Sequence, residues 1–205
     1  MIQAFRCEEP EAVFHGQRSR RLSGDLQEVA RRELPLLHRA IELNDLRVPP
    51  GNNLESLKGD RAGQHSIRLN GQRRICFVWG ATGPEDVEIV DYHQEGEAMP
   101  KVRAKDPDRL EPVHPGEVLL HDFLEPTGLS QHQLAMRTGI PASRIHAIVK
   151  GDRSVTADTA MRLGRFFGVS PELWMGLQAD YDLEAWEIEN GDRLEREVRP
   201  LPRAG

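Results

Sequence analysis

Seven side chains suited to phosphate chemistry lie in the first half of this 205-residue sequence: Lys58 in NLESLKGD, Arg68 in SIRLNG, Arg73 and Arg74 in GQRRICF, and Asp91, Tyr92 and His93 closing VEIVDYH. Together they fit metal-free RNA cleavage, in which the ribose 2′-OH attacks its own phosphate. One group takes a proton, another donates one, and cations stabilise the charge gathering on phosphorus. His93 can do either proton task because imidazole titrates near neutral pH. Arg74 and Lys58 could stabilise the transition state if adjacent strands bring them together. The same composition also describes an ordinary solvated sheet face. Metal and nucleotide motifs are missing: the eight histidines are scattered without HExxH, and neither GxxxxGK[ST] nor GxSxG occurs. No cofactor and no metal site are expected.

A second chemistry is written in QHQLAMRTGIPASRIHAIVK, residues 131–150. Counting from Gln131, Ala135 is fifth, Gly139 ninth, Ile140 tenth, Ile145 fifteenth and Ile148 eighteenth. Two helices crossing steeply need a small residue where they touch and a glycine where the chain turns with positive φ. Pro141 suits the first turn of the second helix. With Ile145 and Ile148 inward, Ala142, Ser143, Arg144, His146 and Lys150 face outward, joined by Gln131 and Gln133. Such side chains suit base edges and phosphates in a major groove. A small helical bundle with one polar helix is the plainer alternative.

The elements that must position these groups differ between the halves. IQAFR at 2–6 reads as a strand, and LQEVARRELPLLHRAIEL spaces its apolar residues as a helix that Pro35 should kink or divide. VPPGNN at 48–53 is a breaker. The period then changes to two, with Asn70-Gly71 marking a hairpin and ATGPED another turn. Helices followed by a three- or four-stranded antiparallel meander give an α+β unit. Residues 94–113 have linker composition, with a reach of about 25 Å for ~20 flexible residues. From 116 onward five short helices are expected, with Thr156 and Ser170-Pro171 as N-terminal caps, Gly168 as a stop, and Trp174 and Leu177 in the core. The predicted boundaries are 1–94, a linker at 95–113, a helical unit at 114–185, and an acidic, proline-containing tail at 186–205.

Net charge is −6, but it is unevenly spread. Residues 18–79 hold 12 Lys/Arg against 7 Asp/Glu, residues 128–166 hold 6 against 2, and residues 171–197 hold 2 against 9. Two basic islands beside an acidic segment keep nucleic-acid partners open, because local patches decide phosphate recognition. The longest apolar run, ICFVW, is far too short to span a membrane, and no signal segment opens the chain, so a cytoplasmic protein is expected. Cys7 and Cys76 read as free thiols.

HPGEVLLHDFLEPTGLSQHQLA, VTADTA and RLGRFFGVSPELWMGLQADYDLE resemble the helix-turn-helix antitoxins of the HigA type, across residues 110–185. IQAFR, LKGDRAGQHSIRLNGQRRICF and VDYH resemble the HigB toxins of the RelE-like class, across residues 1–94. The resemblance implies a RelE-like α+β toxin fold, an antiparallel sheet with N-terminal helices, followed by an all-α, lambda-repressor-like domain. It implies a toxin that cuts messenger RNA in the ribosomal A site, with His93 as the main acid–base group, Asp91 and Tyr92 orienting it or the substrate, Arg74 on the scissile phosphate, and Lys58 and Arg68 at further functional positions. Arg18, Arg20, Arg21, Arg31, Arg32 and Arg73 would contact ribosomal RNA. One departure stands out. Many members carry LHxLKG, where this chain reads LESLKG, so Glu55 replaces a histidine; a carboxylate could serve as a base but would also repel phosphate.

In that family toxin and antitoxin are separate chains, toxin first. Here Met99, opening MPKVRAKDPDRLEPVHPGE, stands where the antitoxin would begin, which suggests an in-frame fusion. The expected partners are operator DNA, the ribosome with its messenger RNA, and the toxin–antitoxin contact itself, within a chain or across a homodimer, with no membrane. Three functions remain open: a self-restrained ribonuclease that represses its own promoter, a repressor with an inactive toxin-like domain, and a ribosome-binding module without chemistry.

Overall fold

The period of two after residue 63 produces an antiparallel sheet in the order β1-β2-β3-β4, from Glu55–Ser56 (β1), Gln64–Arg68 (β2), Arg73–Gly80 (β3) and Gly83–Asp91 (β4). These features come from a computed structural model, which describes residues 1–91 and 109–200. The Asn70-Gly71 hairpin forms as expected. Asn70 Oδ1 accepts from the Gln72 and Arg73 amides at 2.9 and 2.7 Å, fixing the register that places Arg68 opposite Arg74. An irregularity follows where Cys76 pairs with Glu88 but Val78 with Glu85; Asp86, at φ 51°, lies in the extra residue of β4.

Two helices cover one face of the sheet: α1 (Glu8–Phe14) and α2 (Gly24–Arg39). Leu26, Ala30, Leu34 and Leu37 repeat at helical spacing and pack with Ile67, Ile75, Phe77 and Val87 in the N-terminal core. One expectation fails here, and one alternative of a second is excluded. IQAFR does not form a strand; with α1 starting at Glu8, it makes only one parallel bridge, Phe5 to Val87. Pro35 does not divide α2, which runs unbroken through it. Proline removes one backbone bond, to the Arg31 carbonyl, while Leu34, Leu36 and Leu37 around it are all buried and hold the turn in place.

The C-terminal half is helical. A continuous rod joins α3 (Pro115–Val118), a wider π-type segment (Leu119–Leu124) and α4 (Glu125–Thr127). It is followed by α5 (Gln131–Thr138), α6 (Ala142–Val149), α7 (Ala157–Phe167) and α8 (Pro171–Glu197). Trp174 fills the centre, its ring 4.9 Å from that of Phe123. Gly116 has to be glycine, because a side chain there would strike the Ile148 carbonyl. Thr156 takes the N-cap position of α7 without a side-chain cap bond, whereas Ser170 Oγ does accept from the Leu173 amide at 3.2 Å. The last helix is not short. Its 27 residues run through the place where an acidic tail was expected.

The segment read as a linker also differs at its end. Leu110 belongs to the N-terminal core, and its amide donates to the Gly16 carbonyl at 2.6 Å. Most of that segment, 95–108 with Met99, lies outside the described residues.

The two units meet along α2. Leu36, only 1% exposed, turns away from the sheet and enters the C-terminal core beside Phe123 and Trp174. Burying such a side chain stabilises the junction by about 1.5–3 kcal/mol. Asp45 spans the same junction: Oδ2 accepts from the Ile41 and Glu42 amides, and Oδ1 from the Ser170 amide at 3.3 Å. Among the described residues no helix is long and apolar enough to cross a membrane.

Candidate functional site

Strand alternation sorts the predicted phosphate-handling residues onto two faces. On β3, Ile75 and Phe77 point into the core, so Arg74 and Cys76 lie on the opposite, polar face. Arg74 is held on two sides there. Its Nη1 donates to Ser66 Oγ at 3.2 Å, and Nη1 and Nη2 lie 3.1 and 3.3 Å from the two carboxylate oxygens of Glu55. Ser66 is wholly buried, whereas the Glu55 side chain is 54% exposed and that of Arg74 19%. Arg68, paired with Arg74 across β2 and β3, is exposed, and its Nε donates to the Asn70 carbonyl at 3.0 Å. Lys58, two residues beyond β1, is also exposed.

Asp91 is not brought to this cluster. It pairs in register with Arg73, and Arg73 Nη2 lies 2.7 Å from its carboxylate, on the core-side face. Arg73 is thereby engaged by a carboxylate and not presented alone to RNA. Tyr92 and His93 lie outside the described residues. Sequence reasoning missed Ser66, which anchors Arg74, and the pair formed by Arg61 and Glu88 at 3.1 Å. Only the strand register, invisible in composition, reveals either. Cys76 is buried on the polar face, and burial pushes its thiol pKa up, which disfavours a thiolate nucleophile.

Of the arginines read as RNA contacts, Arg20 and Arg21 are exposed, Arg21 pairing with Glu9 at 2.8 Å, and Arg18 is half-buried. Arg31 and Arg32 are not on an open surface. Arg31 is buried, donates to the Phe14 carbonyl at 2.6 Å and is ion-paired to Glu184 of α8. Arg32 Nε faces Asp122 of the π segment at 3.5 Å. Two turns on, Arg39 Nε donates to Asp180 Oδ2 at 2.7 Å, with Nη2 on the other oxygen. Three arginines of one helix thus each meet a carboxylate of the C-terminal unit. Beside them, burial raises Glu33 well above the ordinary carboxylate range, with Asp122 adding to the effect. Burial pushes Asp122 up to about 6, opposed by Arg32. Burial in this junction thus favours the protonated form of both carboxyls.

The helix-turn-helix packing follows the predicted spacing. Ala135, Ile140, Ile145 and Ile148 are buried, and Gly139 turns the chain at φ 69°. On α6, Ala142, Ser143, His146 and Lys150 are exposed. Gln131 Oε1 lies 3.3 Å from His146 Nδ1. Two predicted DNA contacts have work inside the unit. Gln133 closes a capping box, Oε1 accepting from the Ser130 amide at 2.9 Å, and Arg144 pairs with Asp158 at 2.8 Å. Arg162 also binds Asp158, and hydrogen bonds from Arg162 and then Arg144 lower that carboxyl's pKa. Exposed Arg153 and Ser154, in the turn after α6, extend the outward surface beyond the residues singled out from sequence.

Comparison with known proteins divides the chain at the same place. Residues 5–93 match the family described as RelE-like toxin of type II toxin-antitoxin system HigB, and residues 120–174 match the helix-turn-helix family. Antitoxin HigA-1 of Vibrio cholerae is 34% identical over 91 residues, 44% of this chain and 84% of that protein. Toxin HigB-1 of the same organism is 40% identical over 63 residues, 31% of this chain and 66% of that protein. The solved structure of Pseudomonas aeruginosa antitoxin HigA with the higBA promoter is 39% identical, covering 45% of this chain and all of that one, with a TM-score of 0.44.

Proposed function

Because the chain belongs to the HigB–HigA family of type II toxin–antitoxin proteins, a HigB-like toxin unit followed by a helix-turn-helix antitoxin unit, we propose that it is a toxin restrained by its own antitoxin. The toxin unit is a metal-independent endoribonuclease acting on messenger RNA at the ribosome. The antitoxin unit silences it and binds operator DNA to repress its own promoter.

One observation carries the reading. Arg31, Arg32 and Arg39 of α2 are each answered by Glu184, Asp122 or Asp180 of the C-terminal unit. In this reading the three arginines of α2 contact ribosomal phosphates in the free toxin, and the carboxylates of the C-terminal unit compete for them. Lys58 and Arg68, near the candidate cleavage site, stay exposed. In this reading silencing works by denying the toxin unit its ribosomal contact. Since both units belong to one chain, their encounter is intramolecular and insensitive to dilution.

Repression needs a dimer, because single helix-turn-helix units read palindromes in pairs. Leu183, Trp186 and Leu194 are exposed along one stripe of α8 and supply an apolar face for a second copy. In the catalytic reading, His93 takes part in proton transfer, Arg74, Lys58 and Arg68 hold phosphate, Tyr92 and Glu55 complete the site, and Asp91 acts through Arg73 on the other face. The Glu55–Arg74 pair also favours a second reading, a repressor whose toxin-like unit is inactive because its phosphate-binding arginine is occupied. Growth arrest by residues 1–98 separates the two. The first reading predicts arrest that His93→Ala abolishes; the second predicts none.

A further inference from the structure

A cavity of about 280 Å³ opens at the seam between the two units, lined by Phe14, Arg31 and Pro35 on one side and by Val118, Leu177 and Tyr181 on the other. We propose that this cavity binds a small organic acid, one anionic oxygen group on a compact apolar body, and that the bound acid holds the two units together. The site stands on its own geometry; its part in restraint rests on the toxin–antitoxin reading.

Two arginines supply the donors. Arg31 and Arg109 both line the cavity, and the Nε of each is buried without an acceptor among the described residues. Arg31 as a whole is only 5% exposed. A buried donor left unpaired is costly, and a ligand that accepts from it removes the cost. The neighbouring carboxylates are committed elsewhere. Asp180 is held by both prongs of Arg39. Glu184 is shared between Arg31 Nη2 and, at 4.0 Å, Arg109 Nη2. Two guanidiniums thus divide one carboxylate, which leaves their Nε edges for a second anion. Glu187, exposed and also lining the cavity, opposes that anion only weakly. Phe14, Pro35, Val118 and Leu177 offer apolar wall to the rest of the ligand. The volume lies at the lower end of the ~300–1,000 Å³ range of small-molecule sites, so a compact acid fits better than a nucleotide.

The origin of the walls gives the site its consequence. Phe14, Arg31 and Pro35 belong to the toxin helices, and Val118, Leu177 and Tyr181 to the antitoxin helices. The cavity therefore exists only while the units are docked. By linkage, whatever binds there favours docking, by a factor that grows with its concentration over its Kd. Restraint then depends on the acid and loosens as the acid is consumed.

The test titrates the full chain with naphthalene-2-sulfonate and with the neutral naphthalene-2-sulfonamide, by isothermal titration calorimetry. The sulfonate should occupy a single site and bind at least about tenfold more tightly than the sulfonamide. Arg109→Ala should lower sulfonate affinity about ten- to hundredfold and leave sulfonamide affinity unchanged, with an unaltered Tm showing that the fold is kept. Glu187→Gln should raise sulfonate affinity about two- to fivefold. With sulfonate at about 100 times its Kd, amides of α2 and α8 that exchange through undocking should exchange about a hundredfold more slowly. No sulfonate binding, equal binding of the two probes, or full sulfonate binding by Arg109→Ala overturns the site. Sulfonate binding that leaves hydrogen exchange unchanged overturns its part in restraint. Messenger cleavage by residues 1–98 tests the toxin–antitoxin reading separately, so either can fail alone.

Discussion

Arg39 and Asp180, 141 positions apart in the chain, form a two-pronged ion pair between the toxin helix α2 and the antitoxin helix α8. Two turns back along α2 and one turn on along α8, Arg31 and Glu184 form a second pair, with the arginine buried. The two carboxylates sit at i and i+4 on α8, so a single helical face presents both.

Charge reversal at this pair tests whether the contact restrains the toxin. Asp180→Arg should weaken docking by about 1 kcal/mol, since both side chains are about a third exposed. Combining it with Arg39→Asp should recover most of the loss. Limited proteolysis of the four proteins in the double-mutant cycle measures the coupling; independent effects of the two changes would remove the pair from the restraint.

Docking should weaken as pH rises. Glu33 and Asp122 both have native pKa values raised above their ordinary 4.5 and 3.8, Asp122 to about 6. Between those ordinary values and the raised ones, the native junction holds protons that the unfolded chain has released. Stability is therefore full below about pH 4 and falls as pH rises through about 6 and beyond. Arg32 and His121 face the pair and limit the effect. Glu33→Gln, neutral at every pH, should flatten this slope and raise stability above pH 7 by about 1–3 kcal/mol. Urea denaturation midpoints at pH 5 to 8 report it; an unchanged slope would mean that burial does not raise the Glu33 carboxyl.

Gln133 and Lys150 should part company in operator binding. Gln133→Ala removes a capping box and should cost about 1 kcal/mol of stability, read as a lower Tm, because its side chain is engaged with Ser130. Lys150→Ala should leave Tm unchanged, weaken operator binding and lower the salt slope by about one. Melting curves and binding titrations at several salt concentrations distinguish them.

The exposed stripe on α8 predicts the oligomeric state. Trp186→Glu with Leu194→Glu should convert a dimer to a monomer in sedimentation velocity and reduce operator affinity. A wild-type chain that already sediments as a monomer contradicts this role.

What was legible in the sequence was local. Ala135, Gly139, Ile145 and Ile148 betray the helix-turn-helix because its packing is decided within twenty residues, and Asn70-Gly71 betrays its hairpin for the same reason. What failed depends on distant partners. Pro35 stays helical because neighbours from both units bury the turn around it, and IQAFR loses its strand to an early α1. The separation of Asp91 from Arg74 follows from strand parity, and the approach of Glu55 to Arg74 from a register that no motif records. The α2 arginines carried no mark that they would meet antitoxin carboxylates up to 153 residues away.

The most direct measurement of the central claim is messenger RNA cleavage on programmed ribosomes, comparing residues 1–98 with the full chain. The account predicts codon-positioned cuts by the fragment and little or none by the full chain. Failure of both to cut would contradict it and leave a DNA-binding repressor carrying an inert toxin fold. Equal cutting by both would show that the carboxylates paired with the α2 arginines do not restrain the toxin.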